Sequence, residues 1–132
     1  MAFVDTSFWV AQLIPRDTRH AEASALADRM RDARAVTSNL VLGEVWTLLS
    51  YRLGHFHAVH WLDRVQQELS VRIERVDAAL EEEAWGWLRA HDERPYSFVD
   101  ATSFALMREL RITEALAFGG DFASAGFTEL RA

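Results

Sequence analysis

The sequence has no cysteine and no lysine, and only two prolines and six glycines among 132 residues. Without cysteine there is no disulfide and no thiolate metal site, although this says little about compartment. The missing lysine leaves 14 arginines as the whole basic complement. Arginine suits bidentate phosphate recognition, but its exclusive use reflects genome composition more than function. No Gly-rich phosphate loop is present, which argues against nucleotide hydrolysis. The apolar stretches are short or broken by charge, so no membrane span is expected. Asp5 comes almost at once and no basic lead-in precedes it. A secretory signal is therefore not expected, and a cytoplasmic location is.

What remains is an ordinary globular balance, 50% hydrophobic and 26% charged. The length allows one domain, 1–132, and is too short for two independent cores. The net charge of −6 argues at first against a nucleic-acid partner. A carboxylate site holding divalent ions would reverse that locally, just where a phosphate would sit.

Residues 2–5 read as a short buried strand. Thr6 or Ser7 can cap a helix from Phe8 to Ile14, which Pro15 ends. A second helix is expected from Asp17 or Thr18 to about Asp32. Ala35–Thr37 is a strand, and Asn39 is positioned to cap an apolar helix to Leu53 with Gly54 at its end. Phe56, Val59, Leu62 and Val65 fall near helical spacing within 55–69. Residues 70–76 alternate as a half-exposed strand. Asp77 caps a helix to His91, residues 92–96 form a loop, and Ser97 caps a helix to Glu109 or Leu110. Residues 115–118 read as a buried strand and 127–130 as an edge strand. Strands alternating with helices imply an α/β fold, a central parallel sheet with helices on both faces. Ligands of such sheets gather beyond the carboxyl ends of the strands.

Four acids fall near that edge. Asp5 and Asp121 follow predicted strands, while Glu44 and Asp100 lie in the first turns of helices. Buried carboxylates are costly unless paired or bound to a cation. Gathered together, they suit a hard divalent metal and chemistry on phosphate. Each also has a plainer explanation. Asp5 could begin a turn, Asp100 stands three residues after Ser97 as in a capping box, and Asp121 after Gly119-Gly120 fits turn chemistry. Glu44 resists such a reading, because Leu40, Val41, Leu42, Val45 and Trp46 surround it.

Phe3-Val4-Asp5-Thr6-Ser7, Glu44 within its apolar helix, Asp100-Ala101-Thr102-Ser103-Phe104-Ala105, and Ala117-Phe118 leading to Asp121-Phe122 resemble a PIN-domain ribonuclease, specifically the VapC-type toxins. The resemblance runs through essentially the whole chain. It implies a PIN-like fold, Mg²⁺ or Mn²⁺ as cofactor, and endonucleolytic cleavage of RNA. It also implies a homodimer and an antitoxin whose chain fills an apolar groove and blocks the site. Asp5 and Asp100 match the family's metal ligands and Glu44 its third acid. Ser7, Thr102 and Ser103 match hydroxyl positions that support the acids or a ligand water. The family commonly has Asp where this chain has Gly119. Either Asp121 takes over as fourth acid, or the site runs on three.

Arg94, Arg16 and Arg19 are candidate phosphate contacts on loops. His57 and His60, one helical turn apart beside His55, form a rival site for a softer metal, but no acid joins them in a catalytic zinc pattern. Trp85 and Trp87 are two apart on a helix and cannot both face one core. Phosphoacceptor receivers and haloacid-dehalogenase-like phosphatases also place an Asp after a strand, but both need a lysine. The remaining alternative to a nuclease is a catalytically weakened PIN-like module that binds RNA or protein.

Overall fold

The computed structural model describes residues 1–132. In chain order the elements are β1 (Ala2–Val4), α1 (Thr6–Leu13), α2 (His20–Arg29), β2 (Ala35–Ser38), α3 (Asn39–Arg52) and α4 (His55–Gln67). They continue with β3 (Val71–Glu74), α5 (Ala78–Ala90), α6 (Phe98–Leu110), β4 (Glu114–Leu116), α7 (Asp121–Ser124) and β5 (Thr128–Glu129). All strand pairs are parallel, in the order β3-β2-β1-β4-β5. The chain builds outward from β1 through β2 to β3, then returns to the other side of β1 for β4. That reversal opens a crevice at the carboxyl ends of β1 and β4, where parallel sheets bind ligands.

The central strand is apolar on both sides because both faces of the sheet are covered. Phe3 packs with Val36, Ala115 and the residues of α3 to α7. Ala2 and Val4 point the other way, against Phe8 and Ala11 of α1 and Ala23 and Leu26 of α2. This period-2 division of a three-residue strand between two layers is the expected outcome for a buried parallel strand. Beneath α6, the fully buried Phe104 ring meets Trp87, Tyr96, Phe122 and Phe127 at centroid separations of 4.9 to 5.8 Å. This aromatic cluster fixes the helix that carries Asp100. No helix is long and apolar enough to cross a membrane.

Several local details differ from the sequence expectation, each for a reason of hydrogen bonding. Asp5 itself caps α1, its carboxylate accepting from the Ser7 N–H, so Thr6 is already helical. Ser38, not Asn39, caps α3 through the Val41 N–H, while Asn39 accepts from the Val76 N–H and ties down the end of β3. Residues 17–19 form a turn in which Asp17 accepts from the Arg19 N–H, which delays α2 to His20. The buried face of α4 is Ala58, Trp61 and Val65, and Phe56 is exposed. Trp87 packs on the core and Trp85 is partly exposed, as their spacing requires. Asp77 caps α5 and Ser97 caps α6 as expected, and Gly54 takes the positive φ of 95° that ends α3.

Replacing the Phe104 ring by alanine opens a cavity at the centre of the aromatic cluster. Phe104→Ala should lower the unfolding free energy by about 3–5 kcal/mol in urea denaturation. A loss under about 1 kcal/mol would mean the cluster is not the anchor of α6.

Candidate active site

The acids that sequence places far apart line one cavity of about 500 Å³ at the carboxyl edge of β1 and β4. Asp5, Glu44, Asp100 and Asp121 all border it, with Thr6, Ser7 and Gly119. Asp17, Thr18 and Arg19 of the α1–α2 turn form a further wall. That turn was legible in the sequence only as a helix start, so Asp17 and Thr18 were missed as site residues. Their signal is the capping chemistry that holds Arg19 at the rim.

Asp5 is only 6% exposed. Its N–H donates to the Leu116 carbonyl at 3.0 Å, which fixes its backbone between the two central strands. Ser7 donates to Asp5 Oδ2 from its N–H at 3.1 Å and its hydroxyl at 2.6 Å. The Ser7 oxygen in turn accepts from the Phe118 N–H at 3.0 Å. Ser7 therefore supports the acid, as the sequence suggested, and ties it to the segment leaving β4. Thr6 adds a buried hydroxyl without a protein partner beside the same cavity.

Asp100 performs the capping role and the cavity role together, since a carboxylate has two oxygens. Its Oδ2 accepts from the Ser97 N–H at 3.0 Å, while Ser97 Oγ accepts from the Asp100 N–H at 2.9 Å. Glu44 is half-buried on α3 and makes no ion pair or hydrogen bond. Asp121 is different, because Arg94 Nε donates to its Oδ1 at 2.8 Å. Arg94 also donates to the Gly119 carbonyl at 3.0 Å. Gly119 has φ 102°, where a side chain would be strained, so the turn is shaped for glycine and not for a fourth acid.

Other sequence candidates are not brought here. Thr102 and Ser103 are fully buried and donate to the Val99 carbonyl on their own helix at 2.8 and 2.9 Å. They stabilise α6 and support no acid directly. Arg16 is exposed and does not border the cavity, and Arg94 is committed to Asp121 and Gly119 outside it. Arg19 is the arginine that borders it. His57 and His60 line a separate apolar groove with Trp9, Leu13 and Trp61. No three Asp, Glu or His side chains stand close enough to form a ready-made metal cage, at the histidines or at the acids.

The donor set nonetheless fits a hard cation. Magnesium keeps several waters and needs only one or two direct carboxylates. Burial pushes the Asp5 carboxyl up to about 6 against the hydrogen bonds from Ser7, and the Asp100 charge pushes the same way. Burial also raises Asp100, with Asp121 and Glu44 adding to the effect. Mutually repelling acids, one buried and the others half-buried, are an arrangement that a divalent ion would relieve.

A PIN-domain family model matches residues 2–128. The 23S rRNA-specific endonuclease VapC20 of Mycobacterium tuberculosis is 53% identical over 131 residues, covering 99% of this chain and 98% of that one. The crystal structure of VapC20, described as a sarcin–ricin loop cleaving toxin, superposes with a TM-score of 0.93, at 51% identity and full coverage of both chains. FitAcB from Neisseria gonorrhoeae, at 17% identity, matches with a TM-score of 0.66 over 98% of this chain and 97% of its own, a likeness of fold alone.

The electrostatics make stability depend on pH in a definite direction. Asp5 has a folded pKa near 6 against 3.8 for the free side chain. Its protonated form is favoured by folding, so this contribution is complete below pH 3.8 and lost as pH rises through 6. The metal-free protein should lose on the order of 3 kcal/mol between pH 4 and 7.5 from this group. Asp5→Asn, which keeps an oxygen for Ser7, should flatten that decline in urea titrations with EDTA present. Equal pH slopes for the two proteins would contradict the burial described for Asp5.

Proposed function

The chain belongs to the PIN-domain family, and on that premise we propose that it is a metal-dependent endoribonuclease, the toxin of a toxin–antitoxin pair. The observation that carries the proposal is the meeting of Asp5, Glu44, Asp100 and Asp121 at one sheet edge. We assign the cofactor as Mg²⁺, with Mn²⁺ able to substitute. Asp5 and Asp100 would hold the ion directly, and Glu44, free of any protein partner, would hold it through water. When bound, the ion would supply charge neutralisation at the scissile phosphate and lower the pKa of water.

The protein's own groups orient and exclude. Ser7 holds Asp5 in one rotamer, and the Ser97 capping box does the same for Asp100. Glu44, half-buried at the cavity and without a protein partner, would be free to take up a proton there. Arg94 neutralises Asp121 and fixes the turn at Gly119, so Asp121 shapes the site more than it reacts. A binding-only PIN module would have no use for a buried Asp5 beside half-buried Asp100 and Glu44, neither of which has a cationic partner, which favours the catalytic reading.

We propose the sarcin–ricin loop of 23S rRNA as the substrate, on the strength of the substrate named for VapC20 at 53% identity. The cognate antitoxin would fill the apolar groove of about 490 Å³ between α1, α2 and α4. Support comes from its lining of Trp9, Leu13, Met30 and Trp61. Arg31, Arg34 and Arg64 at its edge suit an acidic segment. The exposed Tyr51, Phe56 and Leu69 offer apolar surface for a homodimer. With that substrate the activity would be cytoplasmic.

Incubation with ribosomal RNA and Mg²⁺ or Mn²⁺, followed by end mapping, should reveal one cut within that loop and none after chelation. Asp5→Asn and Asp100→Asn should lose more than the roughly 10–100-fold typical of groups that only orient a ligand, and Asp121→Asn should stay within that range. Activity surviving both of the first two substitutions in folded protein would defeat the enzyme reading. Cleavage confined to other RNAs would defeat only the substrate assignment.

A further inference from the structure

An acidic cavity repels the RNA backbone it must receive, and this chain carries net charge −6. Cations must therefore stand beside the cavity without filling it. Two arginines from distant parts of the chain meet there on one aromatic ring. The Arg19 guanidinium carbon lies 5.3 Å from the Phe118 ring centroid, and that of Arg131 lies 5.4 Å from it. Phe118 and Arg19 both line the acid cavity. The Phe118 N–H donates to Ser7, whose hydroxyl holds Asp5. The ring thus links the two cations to the first acid through one residue.

Both guanidiniums are held yet keep free donors. Arg131 uses three N–H groups, to the Ala117 and Leu130 carbonyls and to the nearly buried Glu129. Arg19 uses one, to Glu22 at 3.2 Å. A guanidinium has five N–H donors, so Arg131 keeps two and Arg19 four. Their side chains are 48% and 42% exposed for Arg19 and Arg131 respectively. A guanidinium already ordered on an aromatic face loses less freedom when it grips a phosphate.

We propose that Arg19 and Arg131, ordered on Phe118, form a clamp for RNA phosphates flanking the scissile bond. The clamp rests on the endoribonuclease reading above. It grips the backbone without reading bases, so it sets the position of the strand while loop shape selects the target. Its role is to position substrate, and the acids act on the bond between the gripped phosphates.

The test is RNA binding in EDTA, which removes cleavage, using a hairpin with the sarcin–ricin sequence and fluorescence anisotropy at several KCl concentrations. Each phosphate contact contributes roughly 0.7 to the slope of log K against log salt for single-stranded RNA. Arg19→Ala and Arg131→Ala should each reduce the slope by about 0.7, and the double variant by about 1.4. The Arg19→Lys/Arg131→Lys double variant should restore the slope, because charge sets it. A purely structural role would lower melting temperature and leave the slope unchanged. If the folded alanine double variant keeps the wild-type slope, the clamp is wrong and the nuclease reading stands. If the wild-type protein binds no RNA in EDTA yet cleaves it with Mg²⁺, the clamp is wrong and the nuclease reading stands.

Discussion

The structure turns on one buried carboxylate. Asp5 ends the central strand, caps the first helix, and sits with its backbone fixed to β4 and its side chain fixed by Ser7. A parallel sheet delivers it to the reversal between β1 and β4, where backbone groups point outward and no side chain of the core fills the space. Everything else at the edge responds to that negative charge. Asp100, Glu44 and Asp121 add to it, Arg94 offsets part of the Asp121 charge, and Phe118 holds arginines just beyond it. Desolvation and like-charge repulsion make the arrangement costly in isolation, a cost that a bound cation would relieve.

Helix α1 stands between two cavities of opposite character. Thr6, Ser7 and Val10 line the acid cavity, and Phe8, Trp9, Gln12 and Leu13 line the apolar groove. Eight residues with little polar surface therefore serve both the cluster of acids and the groove offered to a partner. The apolar face is not a closed core, since Trp9, Leu13, Met30 and Trp61 line an open groove of about 490 Å³. An occupant of the groove would press on the helix that begins at Asp5, which gives inhibition a short mechanical path.

Much of this was legible in the sequence, for identifiable reasons. The strand at residues 2–4 and the buried strand before Phe118 announce themselves as apolar runs too short for helices. Ser97 and Asp77 cap the helices that their spacing predicts, and the capping box at Asp100 coexists with its place in the cavity. Where caps competed, sequence could not choose. Ser38 and Asn39 are both good caps, and only the distant Val76 N–H decided that Asn39 would serve β3 instead. Thr102 and Ser103 matched a hydroxyl pattern, but on a fully buried helix their nearest acceptor is their own backbone.

By itself the chain determined the types of element and the parallel α/β class, because these follow from local periodicity, while the acids stood out as a set through the resemblance to PIN domains, Glu44 alone by its apolar neighbours. Only the tertiary structure decided which arginines matter. A guanidinium on a flexible stem takes its role from whatever carboxylate, ring or carbonyl folding brings near it. Arg94 met Asp121, Arg19 and Arg131 met Phe118, and Arg16 met solvent. No pattern in the sequence distinguishes these fates, since each contact joins residues more than ten apart in the chain.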